Sequence, residues 1–151
     1  MIFIKRAIPD QASVLTSIAL TAKRHWGYPE RWIKIWTPLL TITPEFITSA
    51  EVWVAEFNRE SAGFYALIFR KEHASLEHLW ILPTYMSRDI GRALFEHALV
   101  RCREKGFHIL EIVSDPNAQG FYERMGAKKV GLDFSEVDGQ LRSLPILEMK
   151  L

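Results

Sequence analysis

The chain contains one cysteine, Cys102, so no internal disulfide framework can form, and a reducing, cytosolic setting is the default expectation. No apolar run approaches the length of a membrane-spanning helix. The opening MIFIKRAIPD has neither the cationic start nor the apolar core of a secretory signal. Its 19 lysines and arginines are balanced by 18 aspartates and glutamates, and no basic run is present. That balance argues against a nucleic-acid partner. No repeat or low-complexity linker interrupts the chain, so residues 1–151 are read as one domain. His25, His73, His78, His97 and His108 show no metal-ligand spacing, and no metal is expected.

What remains is an ordinary apolar content, 48%, spread over 151 residues, enough for a substantial core. Residues Ile2–Ala7 alternate as a strand would, and Pro9-Asp10 suits the first turn of a helix. Val14, Leu15, Ile18, Ala19 and Ala22 then recur at helical spacing. A second helix is expected over Glu30–Trp36, closed before Pro38, and a short third one from Thr43-Pro44-Glu45. Three strands follow, about Val52–Phe57, Gly63–Arg70 and Ala74–Leu82, with turns at Asn58–Glu60 and Lys71–His73. A loop at Thr84–Asp89 leads to a helix over Ile90–Lys105, whose stripe Ile90, Leu94, Ala98, Leu99 and Cys102 faces a core and which Gly106 stops. On that stripe Cys102 reads as a buried, inert thiol. Strand Ile109–Val113, helix Asn117–Met125 and two tail strands, near Lys128–Leu132 and Ile146–Leu151, complete the chain. The order predicts an α/β (α+β) fold, a mixed and mostly antiparallel sheet of about six to seven strands flanked by helices.

The stretch from Leu79 to Gly131 carries the functional signal. An apolar strand ends at Pro83, and a short polar loop opens directly into a helix. The first N–H groups of such a helix have no intrahelical acceptor and can hold an anion. Strand, anion-binding turn and helix together suggest a phosphorylated cofactor.

This block resembles the acyl-CoA-binding core of the GCN5-related N-acetyltransferases, the GNAT superfamily. Their pattern is roughly V-x-P-x-x-R/Q-x-x-G-x-G/A, a helix, a strand, then N-x-x-A-x-x-F-Y-x-x-x-G-F. Here Ile81 stands at the V, Pro83 at the P and Gly91 at the last glycine, and Ala118, Phe121, Tyr122 and Gly126 match the second half. Three departures bear on the site. Met86 replaces Arg or Gln, Asp89 replaces the first Gly, and Asp115 replaces Asn, with Asn117 two residues on.

The resemblance implies acetyl-CoA as co-substrate and direct attack by a primary amine of a small molecule or peptide in one ternary complex. The pyrophosphate would meet the turn formed by Ser87, Arg88, Asp89, Ile90, Gly91, Arg92 and Ala93. The pantetheine arm would pair with the main chain of Ile81 and Leu82, with Asn117, Phe121 and Tyr122 on the far wall. A tyrosine hydroxyl, pKa about 10, can protonate a thiolate whose thiol has a pKa of about 8.5, and the resemblance puts Tyr122 beside the sulfur. Glu77 is the first choice for the base that deprotonates the amine, through water. Strict alternation would put it on the face of Leu79 and Ile81. His78 and Glu111 are the alternatives.

Trp26, Tyr28, Trp32 and Trp36 crowd one short segment beside His25. His25, Trp26, Tyr28 and Trp32 could wall an acceptor pocket, or Trp32 and Trp36, one turn apart, could pack as core. Met86 and Asp89 leave a second reading open, an acyl-CoA-binding module with impaired catalysis. An exposed tail strand could pair two copies into a homodimer.

Overall fold

The computed structural model describes every residue from Met1 to Leu151. Strand β1 (Ile2–Arg6) leads through a 3-10 turn at Pro9–Gln11 into α1 (Ala12–Arg24). Then comes α2 (Glu30–Leu40). It does not close before Pro38 as the sequence predicts. The N–H that Pro38 lacks would have bonded only the Lys34 carbonyl, and both residues are exposed, so water can serve that carbonyl. Thr43 caps α3 (Pro44–Ser49), its hydroxyl accepting from the Phe46 N–H at 3.0 Å.

Strands β2 (Glu51–Phe57) and β3 (Glu60–Phe69) join at Asn58-Arg59, whose positive φ angles, 51° and 66°, give the turn that suits twisted hairpins. After β4 (Ala74–Ile81), α4 (Ile90–Glu104) crosses over to β5 (Ile109–Val113). Gly106 stops α4 at φ 85°. Its N–H bonds the Arg103 carbonyl while the Phe107 N–H bonds that of Cys102, the paired closure a left-handed glycine permits. A 3-10 turn at Pro116–Ala118 precedes α5 (Gln119–Arg124), and the chain ends in β6 (Lys128–Val137) and β7 (Gln140–Lys150).

These last strands are much longer than the sequence predicts. Asp138-Gly139 turns the hairpin at φ 52° and 78°. Pro145, just before the strand expected near Ile146–Leu151, sits inside β7, where its carbonyl accepts the Ser114 N–H at 2.9 Å.

The strand order is β1-β2-β3-β4-β5-β7-β6, antiparallel throughout except for β4 and β5. A parallel pair needs a crossover, which α4 supplies. The central strands are buried on both faces. One carries α1–α3 with Leu15, Ile33, Val52 and Phe64; the other carries α4 and α5 with Tyr65, Leu94, Phe95 and Leu147. No helix is long and apolar enough to cross a membrane.

Two irregularities in β4 shape the centre of the sheet. Its parallel pairing with β5 is confined to Ala74–Leu110 and Ser75–Glu111, so the two strands separate beyond Ser75. A bulge against β3 pairs Ala66 with His78 and Leu67 with Leu76, leaving Glu77 without a partner.

Close approach of β3 to the open half of β4 depends on Gly63. A Cβ there would lie 2.6 Å from the Trp80 carbonyl oxygen and 2.7 Å from Ile81 Cδ1. Backbone cannot yield cheaply at that distance. Gly63→Ala is expected to cost about 1–3 kcal/mol of stability, as overpacking does, read as a lower urea midpoint; an unchanged midpoint would mean that the strands separate freely.

Candidate active site

Beyond Ser75 the sheet opens into a cavity of about 710 Å3. Its walls come from β4, the loop before α4, the end of β5 and α5, with Ala22 of α1 and Trp26, just beyond its end, at one side. The Leu82 N–H bonds the Ala62 carbonyl at 2.8 Å, which puts its donor on the β3 side. Period-two alternation then turns the main-chain groups of Trp80 toward β3 and those of Leu79 and Ile81 into the gap, where no strand meets them. Of the strand-end residues named from sequence, Ile81 therefore faces the cavity. Leu82 does not line it, and Leu79 stands in its place.

The loop before α4 supplies the polar end. The Ala93 N–H is the first to be bonded in α4, to the Asp89 carbonyl at 3.0 Å. The N–H groups of Ser87, Arg88, Asp89, Ile90, Gly91 and Arg92 have no acceptor in the protein. Six consecutive free donors at the head of a 15-residue helix form an anion site with the positive end of the helix behind them. Ser87, Asp89, Ile90, Gly91 and Arg92 line the cavity. Arg88 does not: its guanidinium lies over the Phe57 ring, 5.4 Å from the centroid. Ala93 has already used its donor. Gly91 leaves room where a Cβ would lie 3.5 Å from the Phe121 ring, an ordinary contact, so a larger side chain rather than a methyl group would crowd this floor.

Asp89 occupies the N-cap position but makes no capping bond, and its φ is 60°. Ser87 is left-handed too, at φ 68°. A residue type with a Cβ is strained in this region, which gives the physical reason for a glycine in the family pattern. The donor set fits a polyphosphate, and the Asp89 carboxylate is the one group that opposes it. Asp89→Gly is expected to tighten coenzyme A binding with stability held or raised, because strain is relieved and no cap is lost. Calorimetry and a thermal melt measure both, and a fall in melting temperature would mean that the carboxylate caps α4 in solution.

Tyr122 and Phe121 close the opposite wall from α5. The Tyr122 ring is 7% exposed and packs 5.6 Å from Phe95 and 5.2 Å from Phe121, centroid to centroid. Its hydroxyl makes no hydrogen bond, yet no buried side-chain polar atom lacks a partner, so this oxygen is open to the cavity. Burial, followed by the Asp115 charge, raises its pKa well above the ordinary tyrosine value.

The bulge changes the face assigned to Glu77 from alternation. Leu76, Leu79 and Ile81 share one side, while Trp80 and Leu82 take the other and His78 packs beside Phe64. Glu77 is the extra residue, at the cavity edge, and its Oε1 accepts from Arg70 at 2.8 Å. His78 lines the cavity but is a poor base. Its Nδ1 accepts the Trp80 indole N–H at 2.9 Å, which leaves the ring proton on Nε2 and no free lone pair. Burial pushes its pKa down to about 4. Glu111 stands 3.8 Å from His73 and does not line the cavity.

The aromatic segment resolves in favour of packing. Tyr28 stacks on Trp32 at 5.9 Å and meets Trp36 edge-on at 4.9 Å. The faces of these rings are occupied by two of the protein's own cations. Lys23 Nζ is 4.2 Å from the Trp36 centroid, and the Arg142 guanidinium is 5.0 Å from those of Tyr28 and Trp36. Trp32 and Tyr28 thus do not line the cavity. Trp26 does, at 38% exposure, with His25 against its edge at 5.3 Å.

Sequence reasoning missed the group that links these rings to the site. Asp115 accepts from Lys23 Nζ at 2.8 Å, from the Tyr28 hydroxyl at 2.9 and 3.0 Å, and from the Asn117 backbone N–H at 2.8 Å. Asn117 Nδ2 and Arg142 Nη2 donate to the same hydroxyl at 3.0 and 2.8 Å. Burial opposes the charge on Asp115, but the Lys23 hydrogen bond and charge outweigh it and hold the carboxyl below its ordinary range. Burial draws Lys23 below the usual lysine value, against the pull of Asp115. Burial and then Asp115 push Tyr28 up to about 12. Asp115 in place of Asn was the available signal; its partners lie 92, 87 and 27 positions away, at Lys23, Tyr28 and Arg142.

Residues 48–126 match the model of the acetyltransferase (GNAT) domain. The chain is similar to peptidyl-lysine N-acetyltransferase YjaB of Salmonella typhimurium, 32% identical over 109 residues that cover 72% of this chain and 70% of the relative. Similarity to the Escherichia coli protein of the same name is also 32%, over 75% and 72% of the two chains. Among solved structures, the fold matches the PaiA N-acetyltransferase of Thermoplasma acidophilum, solved with coenzyme A, at a TM-score of 0.78 and 20% identity over 100% and 99% of the chains. With the parted strands, the donor-lined turn and the open tyrosine hydroxyl in one cavity, the chain belongs to the GNAT acetyltransferases and is an acetyl-CoA-dependent N-acetyltransferase.

Proposed function

We propose that the acceptor is a primary amine on a peptide, a lysine side chain or an N-terminus, and that Tyr122 is the general acid of the transfer. The single observation carrying the mechanistic part is the Tyr122 hydroxyl, unbonded in an otherwise packed wall and open to the cavity. The peptide reading is supported by the two relatives named for peptidyl-lysine.

The bound thioester supplies the acetyl group; the remaining work falls to the protein. The N–H groups of Ser87–Arg92 would hold the pyrophosphate, with Arg92 and Arg124 as nearby cations on the cavity wall. Leu79 and Ile81 would offer main-chain groups to the amide arm, and a free N–H there can polarise a carbonyl. Glu77 would take the amine proton through water, since its Oε2 is uncommitted while Arg70 holds Oε1. Tyr122 would give its proton to the departing sulfur. Its raised pKa keeps that proton in place through the physiological range and beyond. Holding both reactants in line supplies much of the rate.

A cytosolic location suits the buried Cys102 thiol, which burial pushes up to about 12 and so keeps protonated and unreactive. We also propose that copies pair along β6, a sheet edge exposing Val130, Leu132 and Phe134. Light scattering of Phe134→Lys against the parent tests this, a shift to monomer being expected and an unchanged mass contradicting it.

The function is tested by following thiol release from acetyl-CoA over a panel of lysine peptides, N-terminal peptides and small amines. On the best amine, Tyr122→Phe is expected to lower kcat by about 10²–10⁴ while coenzyme A affinity and melting temperature hold, because the hydroxyl has no partner to lose. The parent rate should stay level on the alkaline side to about pH 10, since the Tyr122 proton is lost only above the ordinary tyrosine value. Full turnover by the Phe variant would remove Tyr122 from the mechanism.

A further inference from the structure

Asp115 closes β5 where the family pattern has Asn, and its surroundings in this chain require a charge. Its side chain is 9% exposed, that of Lys23 11% and that of Arg142 13%. Two cations thus converge on one buried carboxylate, 2.8 and 4.0 Å away. An Asn would keep the hydrogen-bond geometry but leave both cations without a counter-charge, the costly half of breaking a buried pair.

The same carboxylate joins the two walls of the cavity. On one side it holds the Asn117 backbone N–H at 2.8 Å and so closes the turn that starts α5, the helix of Phe121 and Tyr122. On the other it holds Lys23, which follows Ala22 and precedes Trp26 by three residues; Ala22 lines the cavity from α1 and Trp26 from just beyond its end. The Tyr28 hydroxyl adds a second tether from the start of α2. No other side-chain hydrogen bond or ion pair links α1 or Tyr28 to the β5–α5 corner apart from the Asn117 bond within this group.

We infer that Asp115 and Lys23 are positioning residues: their ion pair sets the spacing between the wall the acceptor amine meets, at Ala22 and Trp26, and the corner that carries Tyr122. This rests on the N-acetyltransferase reading and assigns neither residue to the chemistry. Loss of the tie lets the acceptor wall shift against the acid, and a misplacement of about 1 Å can cost on the order of 10²-fold in rate.

Three variants separate positioning from mere support. Lys23→Met removes the tether, fills the space under Trp36 with an apolar chain, and leaves Asp115 balanced by Arg142. Its melting temperature should stay near the parent value. Its coenzyme A affinity, by calorimetry, should be unchanged, while kcat/KM for the best peptide amine falls by about 10–100-fold. Asp115→Asn strands both cations and should lower the melting temperature. Adding Lys23→Met to Asp115→Asn leaves only Arg142 without a counter-charge and should recover part of the lost stability without restoring transfer. Transfer that follows melting temperature across the three variants would reduce the pair to a structural role. Parent-like transfer by Lys23→Met, or a double variant no more stable than Asp115→Asn, would overturn the inference.

A parent protein that binds coenzyme A but acetylates no amine would sink the functional reading instead. The tether is then read by amide hydrogen exchange, which should quicken about tenfold or more at residues 25–28 in Lys23→Met with α4 unchanged. Equal exchange in parent and variant would overturn the tether by itself.

Discussion

Two adjacent strands that stop pairing govern this molecule. β4 and β5 meet at Ala74–Leu110 and Ser75–Glu111 and then part. Unpaired main chain inside a protein is costly unless something else meets it. Here the parting opens a cavity, and the main-chain groups of Leu79 and Ile81 face it with no strand to meet them. The gap also decides where α4 begins. As the crossover between the two parallel strands, α4 must start at the end of β4, so its free N–H groups arrive at the mouth of the same cavity. α5, following β5, brings Tyr122 to the opposite wall. One interrupted ladder therefore brings the donor-lined turn, the open edge of β4 and the Tyr122 hydroxyl to one cavity.

The bulge at Glu77 has a related consequence. By inserting one unpaired residue it turns a side chain that regular pleating would have placed among Leu79 and Ile81 out to the rim. There a carboxylate can remain hydrated, with Arg70 holding one oxygen. His78, one residue later, shows the opposite arrangement: a buried imidazole whose single lone pair is taken by Trp80.

Charge and aromatic rings are combined beside the cavity, between α1, α2 and the end of β5, in a way that composition hides. Near-neutral net charge coexists with a buried cluster of Lys23, Arg142 and Asp115 against Tyr28, Trp32 and Trp36. Burying ions is expensive and is tolerated when each is paired and its remaining donors are met. The ring faces and the Tyr28 hydroxyl meet that condition. What reads in sequence as a cage for a cationic ligand is filled by the protein's own cations.

Local periodicity and turn chemistry determined the order of strands and helices, the stop of α4 at Gly106, and the turn before α4 as an anion site. Each depends on residues near one another in the chain, where dihedral preference and hydrophobic period act directly. The family pattern added Tyr122 by the spacing of Phe121-Tyr122 and Gly126. Boundaries failed where a local rule was overruled from afar. The last strand starts at Gln140, well before Ile146, because Pro145 turns its missing donor away from β6 and its carbonyl accepts the Ser114 N–H. Pro38 reads as a stop, although the carbonyl it leaves free is exposed. The face of Glu77, the exclusion of Leu82, Arg88, Tyr28 and Trp32 from the cavity, and the Asp115 cluster were decided only in three dimensions. A bulge, a parting of strands and an ion pair between Lys23 and Asp115 depend on which elements the sheet brings side by side, and no spacing along the chain encodes that distance.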